Sequence, residues 1–337
     1  MKLSVRIPLL IGAVVLITSA GIIIGAERVI TRALEEATFS EITSNAAASA
    51  DLLKTKLDAM LDQLGEIANR VRTRSMDWEG VTRASLMPDV SRIDALDIGL
   101  VFPDGTTRYV TDDSTANLGD RDYIQQALAG KSVFSEVLIS RVTNQPVVMF
   151  AVPVLRSDER GAPVIGALVV RKDGGTFLPS LVKQIHTSNI SGYDFLVNKE
   201  GTFAAHPDRD LVLRQFNPIK EAEKDPSLKS LGNMVATVIR EKSGQGAYVQ
   251  DGKERLYAFT EIPGHPWLLI ITVEKDEAVS YIAEIRSTML IIGAICAALG
   301  IFSAIITGRS IVRPITGMAE TMKDISKGDL TRRIKLH

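Results

Sequence analysis

Leu100–Thr106 reads LVFPDGT, and Leu196–Thr202 reads LVNKEGT. The two stretches lie at a constant offset of 96 residues. Each sets an acidic-Gly pair shortly after two apolar residues, the pattern of a turn closing a β-hairpin. Around the first copy, Ile98–Phe102 and Thr106–Thr111 read as the paired strands. A helical pattern follows over Arg121–Ala129 and ends at Gly130. Val133–Ser140, Pro146–Leu155 and Val164–Arg171 then read as three more strands. After the second copy, Gly246–Gln250, Arg255–Glu261 and Trp267–Glu274 repeat that order. The expected fold is therefore α+β: two tandem antiparallel-sheet modules with helices packed on them, over 76–180 and 190–276.

Before the first module lies a long helical pattern. Ile42, Ala46, Ser49, Leu53, Leu57, Met60, Leu64, Ile67 and Val71 fall on one stripe, and no proline interrupts Glu27–Met87. The spacing predicts a helix over 28–75, roughly 70 Å long at 1.5 Å per residue. It serves as a core-facing spine, as a stalk pairing with a second chain, or as both along different parts.

Two apolar runs bracket all of this. Ile7–Ala26 holds 20 residues without a charge and Ser287–Gly308 holds 22. A bilayer core takes roughly 20 apolar residues in a helix, so both read as transmembrane helices, with 27–286 between them. Thr18-Ser19-Ala20 offers a small-residue cleavage site, but apolar sequence continues through Ile22–Ile24, which favours an uncleaved anchor. Lys2 and Arg6 precede the first run. Arg309, Arg313, Lys323, Lys327, Arg332, Arg333 and Lys335 follow the second. By the positive-inside rule, residues 1–6 and 309–337 are cytoplasmic and the centre is exported.

The totals narrow the function. The net charge of −1 gives no basic excess for nucleic acid. The single cysteine, Cys296, lies in the second run, so the exported part must be stable without a disulfide. His186, His206, His265 and His337 show no metal-ligand spacing. Asp173-Gly174-Gly175 lacks the Gly-Lys-Ser/Thr of a phosphate loop, and no Gly-x-Ser-x-Gly is present. No metal, no cofactor and no catalytic residues are expected.

Four stretches carry a family resemblance: GDRDYIQQALAGK (Gly119–Lys131), YDFLVNKEGTFAAHPD (Tyr193–Asp208), HPWLLIITVEKDEA (His265–Ala278) and IVRPITGMAETMKDISKGDLTRRI (Ile311–Ile334). In this order around two apolar runs, the chain resembles the N-terminal half of a bacterial transmembrane chemoreceptor, a methyl-accepting chemotaxis protein. The outer part is similar to a double Cache (dCache) sensor, a relative of the PAS fold. The first stretch looks like the helix and loop over its distal pocket. The second and third look like the start and closing strand of its membrane-proximal module. The last looks like the first helix and connector of a HAMP domain, occupying 309–337. There Ile315, Met318, Met322 and Ile325 fall on a seam that two chains would bury, implying a homodimer.

The resemblance implies a small-molecule ligand in the distal module. Amino-acid-binding members show Arg-x-Trp-Tyr there, then a Tyr and an Asp on one strand and an Asp on the last. This chain has Arg121-Asp122-Tyr123-Ile124, then Leu138 and Ser140, and Arg171 in place of the last carboxylate. A carboxylate holds the ligand's ammonium group in those members, whereas two arginines favour an anion. The expected ligand is thus an organic acid rather than an amino acid, with Tyr109, Arg121, Asp122, Tyr123, Leu138, Ser140 and Arg171 as candidate contacts. The alternatives are that Arg171 pairs with Asp122 or Asp173 or points to solvent, and that Tyr109 is a sheet residue with a surface hydroxyl. Phe134 reads as core. The resemblance further implies a non-enzymatic receptor in the inner membrane. It would reach a chemotaxis kinase and adaptor through an output domain beyond residue 337. A HAMP-linked histidine kinase or diguanylate cyclase is the alternative, and an adhesion role a more distant one.

Overall fold

The computed structural model describes residues 3–185, 191–278, 281–307, 310, 314, 315, 317–319 and 322. Two compact units emerge, Thr38–Lys275 and Met1–Ala37 with Asp276–His337. Helix α1 runs from Leu3 to Ala68. Within the first unit its predicted stripe is the buried one. Ile42, Ala46, Ser49, Leu53, Leu57, Leu64 and Ile67 are all almost fully covered. Each large aliphatic buried this way contributes about 1.5–3 kcal/mol.

The helix stops sooner than its spacing predicts. Arg70 turns extended (φ −67, ψ 147) before a short helix α2, Val71–Arg74. Asn69 supports the break: its amide donates to Gly65 O, and its side-chain oxygen accepts the Leu155 N–H. The Thr73 hydroxyl donates to Ile67 O. Val71, the last residue of the predicted stripe, is consequently 83% exposed. A π-helical turn (Trp78–Thr82) and α3 (Arg83–Arg92) lead into the first sheet.

That sheet contains β1 (Asp97–Val101), β2 (Thr106–Tyr109), β3 (Thr115–Asn117), β4 (Val133–Phe134), β5 (Leu138–Ile139), β6 (Pro146–Leu155) and β7 (Val164–Asp173), with α4 (Asp122–Leu128) between β3 and β4. Helix α5 (Phe177–Ile185) leads on. The second sheet contains β8 (Gly192–Asn198), β9 (Phe203–Ala205), β10 (Ser243–Gln250), β11 (Lys253–Glu261) and β12 (Trp267–Glu274), with α6 (Arg209–Leu213), α7 (Pro218–Glu221) and α8 (Lys229–Glu241) between β9 and β10. The strand orders correspond: β2-β1-β7-β6-β4 in the first, β9-β8-β12-β11-β10 in the second. The expected long helix with antiparallel-sheet modules is therefore what the chain forms, and the 96-residue repeat marks the same β1–β2 and β8–β9 corner of each.

The sequence predicts one strand over Val133–Ser140, yet two short ones form. Ser135 interrupts them: its hydroxyl oxygen accepts the Met149 N–H, displacing a backbone acceptor from the ladder. Alternation then divides the first sheet into two faces. Ile98, Leu100, Phe150, Leu168 and Val170 share a core with α1. Val101, Met149, Ala167 and Val169 pack instead beneath Tyr123, Ile124 and Ala127 of α4.

The same α4-type face is used differently in the second sheet. At the repeat offset, Gly99 and Thr107 become Phe195 and Phe203, both buried, with rings 5.3 Å apart. His206 stacks on Phe203 at 4.9 Å, and its Nδ1 accepts the Asp208 N–H. Burial pushes the His206 pKa down to about 4 from 6.5. The unfolded chain thus binds this proton near pH 6.5 and the folded one only near 4. Between those values the unfolded state holds more protons, so stability falls as pH falls. Urea midpoints of wild type should drop relative to His206→Phe from pH 6.5 to 4; parallel curves would exclude the effect.

After β12 come α9 (Lys275–Ala278), which starts on the last residue of the first unit, and α10 (Tyr281–Thr307) in the second. Among the described residues, the helix containing Ala13–Ala68 is long and apolar enough to cross a membrane, and α10 contains a shorter apolar stretch, Leu290–Ser303. A Cβ added to Gly300 would lie 2.7 Å from Cγ1 of Val15, so the two apolar helices touch there. Of the predicted HAMP seam, Ile315, Met318 and Met322 are described, while Ile325 and the connector lie outside the described residues.

Candidate functional site

The α4 face of the first sheet gathers most of the predicted residues. Two close approaches shape it. Gly105 (φ +84) brings the β1–β2 turn against the loop leading to α4, where an added Cβ would lie 2.5 Å from Gly119 Cα. Gly99 allows the Tyr109 ring to lie over β1; a Cβ there would meet Val169, Thr107 and Tyr109 at 2.9–3.2 Å. Tyr109 is therefore buried (2% exposed), not a sheet residue with a surface hydroxyl. Burial pushes its phenol up to about 12.

Arg171 stands on β7 directly opposite Asp97 of β1. Its guanidinium carbon lies 4.8 Å from the centre of the Tyr109 ring. It pairs with neither Asp122 nor Asp173 and does not reach solvent, being 5% exposed. Its partner is Asp97, through Nη2–H to Oδ2 at 3.3 Å. Asp97 is fully buried and heavily engaged. Oδ1 accepts the Ile98 and Thr111 N–H groups, and Oδ2 also accepts the Thr111 hydroxyl at 2.6 Å. Nε and Nη1 of Arg171 are buried with no partner among the described residues. A buried donor without an acceptor costs about 1–3 kcal/mol, more when charged.

Arg121 caps the N-terminus of α4 in an extended conformation, and its Nε is likewise buried without a partner. Tyr123 is buried next to it, and burial raises its phenol pKa. Tyr109 and Tyr123 lie within electrostatic reach of each other. Arg121, Asp122, Tyr123 and Leu138 line a cavity of about 770 Å³, whose far wall includes Asp58, Lys199 and His265. Asp122 faces outward and accepts from the Gln126 amide. Ser140 is occupied by its own turn, its hydroxyl oxygen accepting the Val142 and Thr143 N–H groups. Arg141 clasps Asp120 through two hydrogen bonds of 2.7 and 2.6 Å, tying the segment after β5 to the loop before α4. Arg121, Asp122, Tyr123 and Leu138 thus share one cavity, whereas Arg171 and Tyr109 contact each other and are not part of its lining. Ser140 belongs to its own turn.

The sequence did not point to Asp97, Gly99 or the far wall of the cavity. Nor did it reveal how the β4–β5 segment meets the second module. Glu136 accepts from the Asn198 amide at 2.9 Å, Val137 O accepts from Gln215, and Phe134 lies against His265 and Trp267. Burial raises the Glu136 carboxyl above its usual range. Phe134 packs on the core as expected.

Comparison with known proteins fits this architecture. The Cache domain family (dCache_1) matches residues 26–282, and the HAMP domain family matches 306–337. The chain belongs to the dCache family. Among curated relatives, the methyl-accepting chemotaxis protein McpG of Pseudomonas putida is 30% identical over 217 residues, covering 62% of this chain and 31% of its own length. PctB of Pseudomonas aeruginosa is 26% identical over 246 residues, covering 69% and 35%. The chain therefore spans about a third of these relatives. The ligand-binding domain of the Pseudomonas fluorescens chemoreceptor CtaA, solved with L-isoleucine, superposes with a TM-score of 0.56 at 21% identity, covering 74% of this chain and 98% of that one. That of PctB, solved with L-Arg, gives 0.52 at 20%, covering 72% and 97%.

Proposed function

We propose that this chain is the sensing and membrane-spanning part of a bacterial methyl-accepting chemoreceptor, and that its distal module binds a small organic anion. The family matches and the chemotaxis relatives support the receptor class. The observation that carries the ligand class is Arg171. It is a buried cation with unpartnered Nε–H and Nη1–H groups. The carboxylate paired with it already receives three other donors, so Asp97 has little capacity left for a ligand's ammonium group. A ligand carboxylate would supply the missing acceptors.

In this proposal the chain crosses the inner membrane twice, at 7–26 and 287–308, with 27–286 outside and both ends in the cytoplasm. The flanking lysines and arginines support that orientation. Ile315 and Met322 are about 60% exposed in the single chain, in keeping with a HAMP seam completed by a second copy. The receptor is a signalling protein without catalysis of its own, acting on a kinase and adaptor through a cytoplasmic output domain. A ligand shifts such a two-state receptor only by its differential affinity for the two states. Calorimetry with matched panels of carboxylates and amino acids tests the ligand class. Carboxylates should bind; tight binding confined to amino acids would end the anion reading.

A further inference from the structure

The second module has a cavity of its own, and its lining shares no residue with the cavity beside α4. It measures about 700 Å³ and lies between α5, the start of β8 and the chain leaving β9. Pro179 and Val182 of α5, Pro207, and the rings of Tyr193 and His206 give it a largely apolar wall. Burial holds His206 at a pKa of about 4, so that ring is neutral at pH 7. Among the described lining residues, Lys183 and Asp194 are then the charged ones. Lys183 is exposed, whereas Asp194 is only 5% exposed. A charge acts most strongly where water is excluded, so Asp194 sets the character of the cavity. The guanidiniums nearby are committed elsewhere: Arg209 pairs with Asp173, and Arg255 with Glu274.

The fold itself does not demand this carboxylate. At the repeat offset of 96, Asp194 stands where the first sheet has Ile98. Ile98 belongs to the core shared with α1, and Asp194 alternates with Leu196, which lies in that same core. A buried carboxylate in such a face is costly unless donors surround it, and an ammonium group brings three. Asp194 already has an interaction of its own within the chain. A carboxylate offers about four acceptor positions, so a ligand donor can join that interaction. We propose that this cavity is a second ligand site, which takes a small primary amine, its ammonium group at Asp194 and its apolar body against Pro179, Val182 and Pro207. The site stands apart from the anion reading, because it uses none of the residues beneath α4.

The 337-residue chain in nanodiscs, titrated calorimetrically with benzylamine and benzyl alcohol, tests this. The two probes share a ring and differ in charge. Benzylamine should bind about tenfold or more tightly than benzyl alcohol, the worth of one charge-assisted hydrogen bond. Asp194→Asn should bring benzylamine down to the level of benzyl alcohol. Ser180 lines the cavity and is exposed, so Ser180→Trp should obstruct it and abolish benzylamine binding with an unaltered melting curve. That variant keeps the proposal open to test where Asp194→Asn fails to fold. Benzyl alcohol binding as tightly as benzylamine, or benzylamine binding unchanged in Asp194→Asn, overturns the role of the carboxylate. Benzylamine binding unchanged in Ser180→Trp overturns the cavity as its site. No binding of benzylamine overturns the proposal.

Discussion

Asp97→Ala should destabilise the sensor domain by about 3–5 kcal/mol, because it strands a buried guanidinium without its counter-charge. Asp97 is completely covered and is the ion-pair partner of Arg171. It also secures the Thr111 N–H and hydroxyl, which would lose their acceptors as well. Asp97→Asn keeps an acceptor oxygen and should fall between wild type and alanine. Added formate or acetate should recover part of the loss in the alanine variant by entering the vacated space beside Arg171. Urea unfolding with and without formate measures both effects. An alanine variant as stable as wild type would show that Arg171 does not depend on this carboxylate.

A loss of similar size is expected at the start of β12. Trp267 is fully buried and tilts against Phe134 with centroids 6.1 Å apart, while His265 stacks on it at 6.2 Å. Trp267→Ala should cost about 3–5 kcal/mol, the usual range for emptying a large aromatic site. Trp267→Phe should cost only about 1 kcal/mol. The indole Nε1–H has no hydrogen-bond partner among the described residues, so its removal forfeits volume and no bond. Thermal melts of the pair decide the matter: equal losses would mean that the indole N–H is bonded. The contact with Phe134 joins the first module to the second, so the alanine variant should also loosen β4, seen as faster amide exchange at Val133 and Phe134.

Much of this architecture is legible in the sequence because periodicity and turn chemistry are local. The α1 stripe follows the helical repeat, and its residues from Ile42 to Ile67 are buried as the repeat requires. The Asp104-Gly105 and Glu200-Gly201 turns fix two hairpins, and both glycines have positive φ. What escaped depends on contacts distant in sequence. The end of α1 is set by Asn69 reaching Leu155. The split between β4 and β5 is set by Ser135 reaching Met149. Helix α8 carries a readable apolar stripe, Leu231, Met234, Val235 and Val238, all buried. At the site, Arg171 stands out because it departs from a family pattern. Asp97 does not, since no local rule marks an aspartate for burial. Only the pairing of β1 with β7 brings it opposite an arginine 74 residues away.

The glycine at 99 and the phenylalanine at 195 hold the same place in two sheets of matching strand order. In the second module aromatic rings fill this place, whereas in the first the Tyr109 ring lies over the bare glycine. In the proposed receptor, ligand preference can therefore drift through changes under α4 while the second sheet, which continues through Glu274 into α9 and α10, stays as it is. A receptor built as proposed could acquire new stimuli without re-inventing the machinery that reports them.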